Sequence, residues 1–533
     1  MGRGFERHAR TFTVLTLVSR VTGLGRDALL ARAFGAGPTL DAFNFAFQVP
    51  NLFRRLFGEG ALTASFLPVY ARLDRDDPNA ARAFAGVMLA LLGIVLAALT
   101  IVGEVVLFAI LQGDPPAALG LRLLMIMLPY MPLVCLVAFL GAMLQTHGRF
   151  GPSAASPIIL NICIMAAAMK GSQWWPRLGL GDALPERSAV EWVAWSVIVA
   201  GLLQLAWNLW ALRAYRVRAH LRVRGNGTHL REVVLKALPM LLGLGIFQVN
   251  TFVDGLVASW RSMVGPTILG IDYPLDEGSM TFLSYGQRLY EFPLGVFGVA
   301  IATAIFPALA RESNDPTRFV DTLRRGLRLS FFIGFPASIG LVLVREPLAA
   351  AIFQGGRFDR DAVREVGFVL AMYAPAIWAY SMQQLATRAF YALGDTVTPV
   401  KVSAWMVLLN LALNLTLIWT PLRVGGLALS TAVCAVIQIA IMTRLMHRRM
   451  GALAGTEFPI VDRETRASFA RTVAASAAMA AVTWPVSIAF RGEDTWLWSV
   501  GASLVFAGVG AVTFVAAARV LKMPELGWAL RGR

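Results

Sequence analysis

Four arginines lie within or beside long apolar stretches of the chain: Arg20, Arg26, Arg54 and Arg288. An arginine at the centre of a bilayer costs about 2.5–3.5 kcal/mol even on lenient insertion scales, so several arginines facing lipid would be prohibitive. A guanidinium group presents a planar fork of donors that binds phosphate oxygens bidentately and keeps its charge. These residues therefore predict an anion site inside a helix bundle. Anchoring to lipid headgroups at helix ends is the alternative.

Acidic and amide side chains lie near these arginines in the sequence. Asn51 lies three residues before Arg54 and is grouped with the predicted substrate-binding residues. Asp41, Glu59 and Glu291 are predicted gate residues or charge partners, because an acid beside an arginine holds it in place. Glu291 follows Arg288 by three residues, so the two share a helix face and can pair. Structural pairing and gate formation both remain open for these acids.

Helix breakers accompany the arginines. Gly23, Gly25 and Pro50 interrupt apolar stretches, and irregular backbone at membrane depth is tolerated only where it is buried or lines a cavity. Helix N-termini freed in this way can point at a phosphate group. Close packing of helices through small residues is the alternative.

A second polar group suggests a cation site. Asp254 is a lone acid within an apolar stretch, Asn410 and Asn414 share a helix face, and Thr431 lies in the next apolar segment. Their oxygens suit a small cation such as Na⁺, whereas interhelical hydrogen bonding is the alternative. Coupling to Na⁺, to H⁺ or to the membrane potential is left open, and no cofactor is predicted.

The composition determines the class of protein. The 533 residues are 57% hydrophobic and 15% charged, whereas soluble domains carry about 25% charged residues. The chain is therefore predicted to be an all-α polytopic membrane protein. Its net charge of +16 is attributed to basic cytoplasmic loops and buried arginines rather than to nucleic-acid binding.

About fourteen segments are long and apolar enough to span a membrane. The loops with the greatest excess of arginine lie on one side, which predicts that both termini are cytoplasmic. A weak internal repeat relates FGEGALTASF (57–66) to FGVAIATAIF (297–306), 240 residues apart. Six spans per copy give the copies the same orientation, so they are predicted to form two parallel six-helix lobes around a central cavity.

The repeat predicts four regions of the chain. These are an N-terminal six-helix lobe, a basic cytoplasmic linker, a C-terminal six-helix lobe and two additional transmembrane helices, at 1–217, 218–232, 233–449 and 450–533.

Three stretches resemble the MurJ (MviN) family of lipid II flippases, within the superfamily that also holds multidrug exporters and polysaccharide-lipid flippases. They are SRVTGLGRDALLARAFGAG, DAFNFAFQVPNLFRRLFGEGALTASFLPV and LSYGQRLYEFPLGVFGVAIATAIFPAL. The family often has Lys where this chain has Gln48, and Asp where it has Gln287. These two departures leave the completeness of a gate of salt bridges open.

The resemblance implies a function. The chain would move lipid II, an undecaprenyl diphosphate carrying a disaccharide-pentapeptide, from the cytoplasmic to the periplasmic leaflet of the inner membrane by alternating access. The cavity arginines would hold the diphosphate, and membrane lipids and the cell-wall synthesis machinery are the implied partners. A cation-coupled multidrug exporter, or another flippase for oligosaccharides on polyprenyl diphosphate, is the alternative. A membrane enzyme is not favoured, because neither clustered acids for Mg²⁺ nor a nucleophile–base pair lies in the spans.

Overall fold

The computed structural model describes residues 2–58, 60–115, 118–172, 176, 182–214, 227–454, 459–489 and 495–531. Apart from one short β-hairpin, the elements within these residues are helical. The first elements are α1 (Gly2–Phe34), α2 (Pro38–Phe53), α3 (Ala61–Asp76), α4 (Pro78–Leu111), α5 (Ala118–Met127), α6 (Tyr130–Thr146), α7 (Gly151–Lys170), α8 (Glu186–Ala214), α9 (Gly227–Ala258) and α10 (Trp260–Met263). The hairpin follows, with strands β1 (Thr267–Ile268) and β2 (Ile271–Asp272).

The remaining elements are α11 (Ser279–Pro293), α12 (Val299–Arg311), α13 (Pro316–Phe353), α14 (Arg360–Tyr373), α15 (Ile377–Ala392), α16 (Val397–Leu417), α17 (Val424–Ala454), α18 (Arg463–Ala489), α19 (Trp496–Val520) and α20 (Pro524–Arg531). Within the described residues, nine helical segments meet a strict criterion of length and apolarity for crossing a membrane. The all-α membrane fold predicted from the composition is confirmed.

The internal repeat is visible in the local structure. A π-helical turn at Arg54–Gly58 follows α2, and a second one at Leu294–Gly298 follows α11, 240 residues later. Each copy also ends a helix at a glycine with positive φ. These glycines are Gly148 (φ 71°) after α6 and Gly394 (φ 73°) after α15, where a side chain would be strained. The sequence repeat therefore corresponds to repeated backbone features.

The long helices α4 and α13 begin in the same way. Asp77 precedes Pro78, and its carboxylate accepts hydrogen bonds from the first backbone N–H groups of α4. Asp315 and Pro316 form the same N-cap before α13. A carboxylate at the cap satisfies helix donors that have no partner within the helix, and proline suits the first helical position.

The described chain divides into two compact units. Unit 1 comprises Met1–Thr281 with Gly355–Asp359, and unit 2 comprises Phe282–Gln354 with Arg360–Arg533. This division places α9 in unit 1, whereas the repeat places 233–449 in the C-terminal lobe. The four regions predicted from the repeat remain a prediction, and the predicted linker 218–232 lies partly outside the described residues.

Each unit has its own apolar core. In unit 1, the ring of Phe66 on α3 packs against Phe84 and Phe139, with centroids 5.4 and 4.3 Å apart. In unit 2, α13 packs against α18 and α19. The ring centroids of Phe331 and Phe469 are 4.3 Å apart, and those of Phe332 and Phe514 are 5.1 Å apart. The final helices α18 and α19, predicted as additions to the repeat, are thus packed on α13.

A buried ion pair attaches the C-terminal helix α20 to unit 2. Arg328 of α13 donates from Nε to Glu525 Oε1 at 2.7 Å, and Ser468 of α18 donates to the same oxygen at 2.6 Å. The Arg328 guanidinium also lies 5.1 Å from the ring centroid of Trp528. Three helices, α13, α18 and α20, therefore meet at one carboxylate.

Candidate functional site

Helix α1 places Arg26 inside unit 1, where the residue as a whole is 9% exposed. Its Nε and Nη2 donate to Asp27 Oδ1 at 2.9 and 2.6 Å, and its Nη1 donates to Asn161 Oδ1 at 3.2 Å. The guanidinium also lies 5.5 Å from the ring centroid of Phe47 on α2. Arg26 is therefore a buried cation fixed by an acid, an amide and an aromatic face.

Asn161 of α7 connects this cation to the preceding turn of α1. Its Nδ2 donates to the Ser19 carbonyl at 3.2 Å and to Thr22 Oγ1 at 3.1 Å, while its Oδ1 accepts from Arg26. The sequence prediction included neither Asp27 nor Asn161. Asn161 is a polar residue in the middle of an apolar helix, which is the signal that could have found it.

Arg54 occupies the first position of the π-helical turn after α2 and is half-buried. Its Nε donates to Asn51 Oδ1 at 3.2 Å, and Asn51 Nδ2 donates to the Phe47 carbonyl at 2.9 Å. Asn51 and Arg54, both predicted to bind substrate, therefore contact each other, and their binding role remains a prediction. A π-helical turn within an apolar helix is frequent at functional sites.

The other two predicted arginines have exposed side chains. Arg20 lies on α1, two turns before Arg26, and Arg288 lies on α11 in unit 2. Glu291, one turn after Arg288, accepts a hydrogen bond at 3.0 Å from Gln287 Nε2. This donor to the Glu291 carboxylate is therefore a neutral amide and not a cation. Glu59 lies outside the described residues.

Asp41 in the first turn of α2 is buried and accepts three hydrogen bonds within unit 1. The donors are the Gly278 backbone N–H at 2.7 Å, the Thr281 backbone N–H at 2.8 Å and Thr281 Oγ1 at 2.7 Å. Gln48, two turns later on α2, donates to the Thr251 carbonyl at 2.7 Å. Through these bonds, α2 is connected to α9 and to the segment after the hairpin. The gate role predicted for Asp41 remains a prediction.

The residues predicted for a cation site lie in different units. In unit 1, Asn250 Nδ2 donates to Asp254 Oδ2 at 3.2 Å. In unit 2, Asn414 Nδ2 donates to Asn410 Oδ1 at 3.0 Å, and Asn410 Nδ2 donates to Ser430 Oγ at 3.1 Å. Asn410 Nδ2 also lies 3.2 Å from Thr431 Oγ1.

Ser430, which the sequence prediction did not include, donates to Asn414 Oδ1. The amide oxygens of Asn410 and Asn414 therefore each accept a hydrogen bond from the protein. Among the residues that the structure describes, no three His, Cys, Asp or Glu side chains are grouped to hold a metal ion. The cation site and the alternative of interhelical hydrogen bonding between α16 and α17 both remain predictions.

Comparison with known proteins assigns the family. The family model described as lipid II flippase MurJ matches residues 30–505. The chain belongs to the MurJ family. A protein of Haemophilus influenzae named probable lipid II flippase MurJ is 31% identical over 498 residues, which cover 88% of this chain and 90% of that protein. A Vibrio cholerae protein of the same name is 31% identical over 459 residues, covering 82% and 81%.

Solved structures show the same fold. A lipid II flippase MurJ in an inward closed conformation superposes with a TM-score of 0.74 at 22% identity, covering 96% of this chain and 98% of that one. An inward-facing multidrug resistance transporter of the MATE family gives a TM-score of 0.65 at 13% identity, covering 84% and 99%. The MurJ family match includes Arg54 and Arg288, whereas Arg20 and Arg26 precede it and α20 follows it. As a member of this family, the chain is a transporter and not an enzyme.

Proposed function

We propose that this MurJ-family protein moves lipid II across the bacterial inner membrane, from the cytoplasmic to the periplasmic leaflet, by alternating access. The family match over residues 30–505 is the observation that carries this proposal. The relatives named lipid II flippases are aligned over more than four-fifths of the chain. The buried cation in the first helix adds chemical support, because the substrate carries a diphosphate that hydrocarbon cannot solvate.

In this proposal, the diphosphate is held by Arg20, Arg26, Arg54 and Arg288. Arginine suits the task because its fork matches phosphate oxygens and it stays charged. Asn51 is uncharged, so its bond orients Arg54 without neutralising it.

Arg26 differs from the other three arginines in this proposal, because it is already paired with an acid. Asp27 balances its charge before substrate arrives, which limits the cost of burying a cation. An arriving phosphate group competes with Asp27 for the guanidinium. This competition weakens substrate binding and makes release on the far side easier.

The energy source in this proposal is the membrane potential. Moving one elementary charge across the membrane is worth about 2.3 kcal/mol per 100 mV. A potential that is negative inside draws the arginines of the empty carrier towards the cytoplasm, which resets it. Coupling to Na⁺ through Asn410 and Asn414 is less favoured, because their amide oxygens accept hydrogen bonds from the protein. Coupling to H⁺ is the remaining alternative.

Multidrug export is the second candidate function, because the fold is shared with a MATE transporter. Drug exporters of this kind bind cations and need acids at the site. The fixed cation at Arg26 and the arginine in the π-helical turn favour an anionic substrate instead. We also place both termini in the cytoplasm, as the arginine-rich loops predict, and expect the cell-wall synthesis machinery as a partner.

A depletion experiment tests the proposed function. Cells that lose their own lipid II flippase are supplied with this protein, and lipid II accessible from the periplasm is measured. Wild type and Arg318→Ala should restore access, since Arg318 is an exposed arginine in the first turn of α13. Arg54→Ala should reach the membrane in equal amount and fail to restore access. Failure of the wild type, with normal insertion, would contradict the proposed substrate.

A further inference from the structure

The β-hairpin between α10 and α11 has an unusual turn. Thr267 pairs with Asp272 and Ile268 with Ile271, which leaves Leu269 and Gly270 as the two central residues. Their φ angles are 51° and 81°, both positive, as a type I′ turn requires. Such turns favour Asn, Asp or Gly at the first position, because a branched side chain is strained there.

The strained residue is also fully exposed. Leu269 is 97% exposed, and Ile271 and Val264 nearby are 59% and 43% exposed. An asparagine at position 269 would remove both the strain and the contact of an apolar side chain with water. A leucine at this turn is therefore explained best by an apolar environment at the tip.

The base of the hairpin is fixed, so the tip is held in a defined position. Trp260 Nε1 donates to the Thr267 carbonyl at 3.2 Å, and the Trp260 ring stacks on Tyr273 at 5.6 Å. Tyr273 in turn donates from its hydroxyl to the Val257 carbonyl of α9 at 2.7 Å. Tryptophan is enriched where membrane and water meet, and the partly exposed Trp260 lies at this base.

We propose that Leu269 and Ile271 insert into the outer leaflet of the bilayer and anchor the hairpin at the membrane interface. The hairpin follows α9 and the single-turn helix α10, and the 32 residues of α9 span about 48 Å, longer than a hydrocarbon core. The loop GIDYPLDEG has no lysine or arginine, which places it on the outer side. Its acids, Asp272, Asp276 and Glu277, lie on the strand and after it and stay in water, while the apolar tip meets lipid. The bilayer is the apolar medium that any spanning protein already adjoins.

Spin-label accessibility tests this proposal. The purified protein, with its three cysteines replaced by alanine, is placed in nanodiscs and labelled at Leu269→Cys. Collisions with oxygen, which concentrates in lipid, are compared with collisions with a water-soluble nickel chelate. Glu277→Cys in the same loop is the water control. Leu504→Cys on α19, which is 70% exposed on an apolar helix, is the lipid control.

The label at position 269 should resemble the one at Leu504, with high oxygen and low nickel accessibility. A second comparison places the label at Ile271→Cys, with or without Leu269→Asn. Asparagine suits the turn, so the hairpin keeps its fold, and the label at 271 should shift towards the water control. A label at 269 that behaves like the one at Glu277 overturns the proposal. Low accessibility to both reagents also overturns it and indicates a protein contact instead.

Discussion

Replacing Asp27 by asparagine tests the buried cation in α1. The side chains of Arg26 and Asp27 are only 11% and 7% exposed, so the substitution leaves Arg26 buried without its counter-charge. Removing one partner of a buried pair costs about 3–5 kcal/mol. Asparagine retains an oxygen for the guanidinium, and Asn161 and Phe47 still contact it. We therefore expect a loss near the lower limit, about 3 kcal/mol, or roughly a hundredfold in the folding equilibrium.

The assay is thermal unfolding in detergent, with and without a soluble isoprenyl diphosphate. Asp27→Asn should unfold at a lower temperature than wild type. The diphosphate should raise its unfolding temperature more than that of wild type, because Arg26 no longer has a competing carboxylate. Asp321→Asn is the matched control, since the Asp321 side chain is 56% exposed and Arg324 keeps a second acid, Asp462, at 3.4 Å, so the pair contributes at most about 1 kcal/mol. Equal stability of Asp27→Asn and wild type, or equal stabilisation by the diphosphate, would refute this reasoning.

Three further predictions concern unit 2. Asn414→Ala removes the hydrogen bond from Ser430 of α17 and the bond that Asn414 donates to Asn410 within α16. Loss of the interhelical bond should lower stability by about 0.6–1.7 kcal/mol, measured by thermal unfolding, and the transport rate should be the same with and without Na⁺. Glu525→Gln leaves the buried Arg328 with only the exposed Glu464, 3.4 Å from its Nη1, as a charge partner. The substitution should cost about 3 kcal/mol, and trypsin should cut α20 at lower protease concentrations. Burial raises the pKa of Asp395, but hydrogen bonds from the backbone and hydroxyl of Thr398 and the charge of Arg449 outweigh it and hold the pKa below its usual value. The stabilisation from Asp395 is therefore present above the unfolded-state pKa and lost as pH falls through the folded-state pKa, so acidification should lower the unfolding temperature of wild type more than that of Asp395→Asn.

Each of these predictions has a contradicting result. Na⁺-dependent transport that Asn414→Ala abolishes would favour a cation site at this position. Unchanged protease resistance in Glu525→Gln would mean that apolar packing alone holds α20. Equal pH profiles for wild type and Asp395→Asn would show that the carboxylate of Asp395 adds no pH-dependent stability.

The sequence predicts the fold well because its signals are local. Apolar length identifies spanning helices, and each copy of the repeat between 57–66 and 297–306 begins in a π-helical turn that the sequence did not predict. The four arginines are candidates because charge in an apolar stretch is conspicuous, and their binding role remains a prediction. Asn51 was also predicted, since Arg54 lies one helical turn away and contacts it.

The partners across long sequence distances could not be predicted. The hydrogen bond between Arg26 and Asn161 joins residues that are 135 positions apart in the sequence. The bond between Asp41 and Thr281 joins residues 240 positions apart. Neither pairing leaves a periodic pattern in a single sequence. The sequence does not predict the hairpin either, for a local reason. Its turn carries Leu269 at a position where turn chemistry favours asparagine or glycine.

Transport in proteoliposomes tests the central claim most directly. Purified protein is reconstituted with fluorescent lipid II, and the rate at which the headgroup changes leaflets is measured. Wild type should move it faster than empty liposomes do. Arg54→Lys, a point charge without the fork, should be slower, and Arg54→Ala should fall to the empty-liposome rate. Undiminished movement by Arg54→Ala would contradict the diphosphate site, and no movement by correctly folded wild type would contradict the account as a whole.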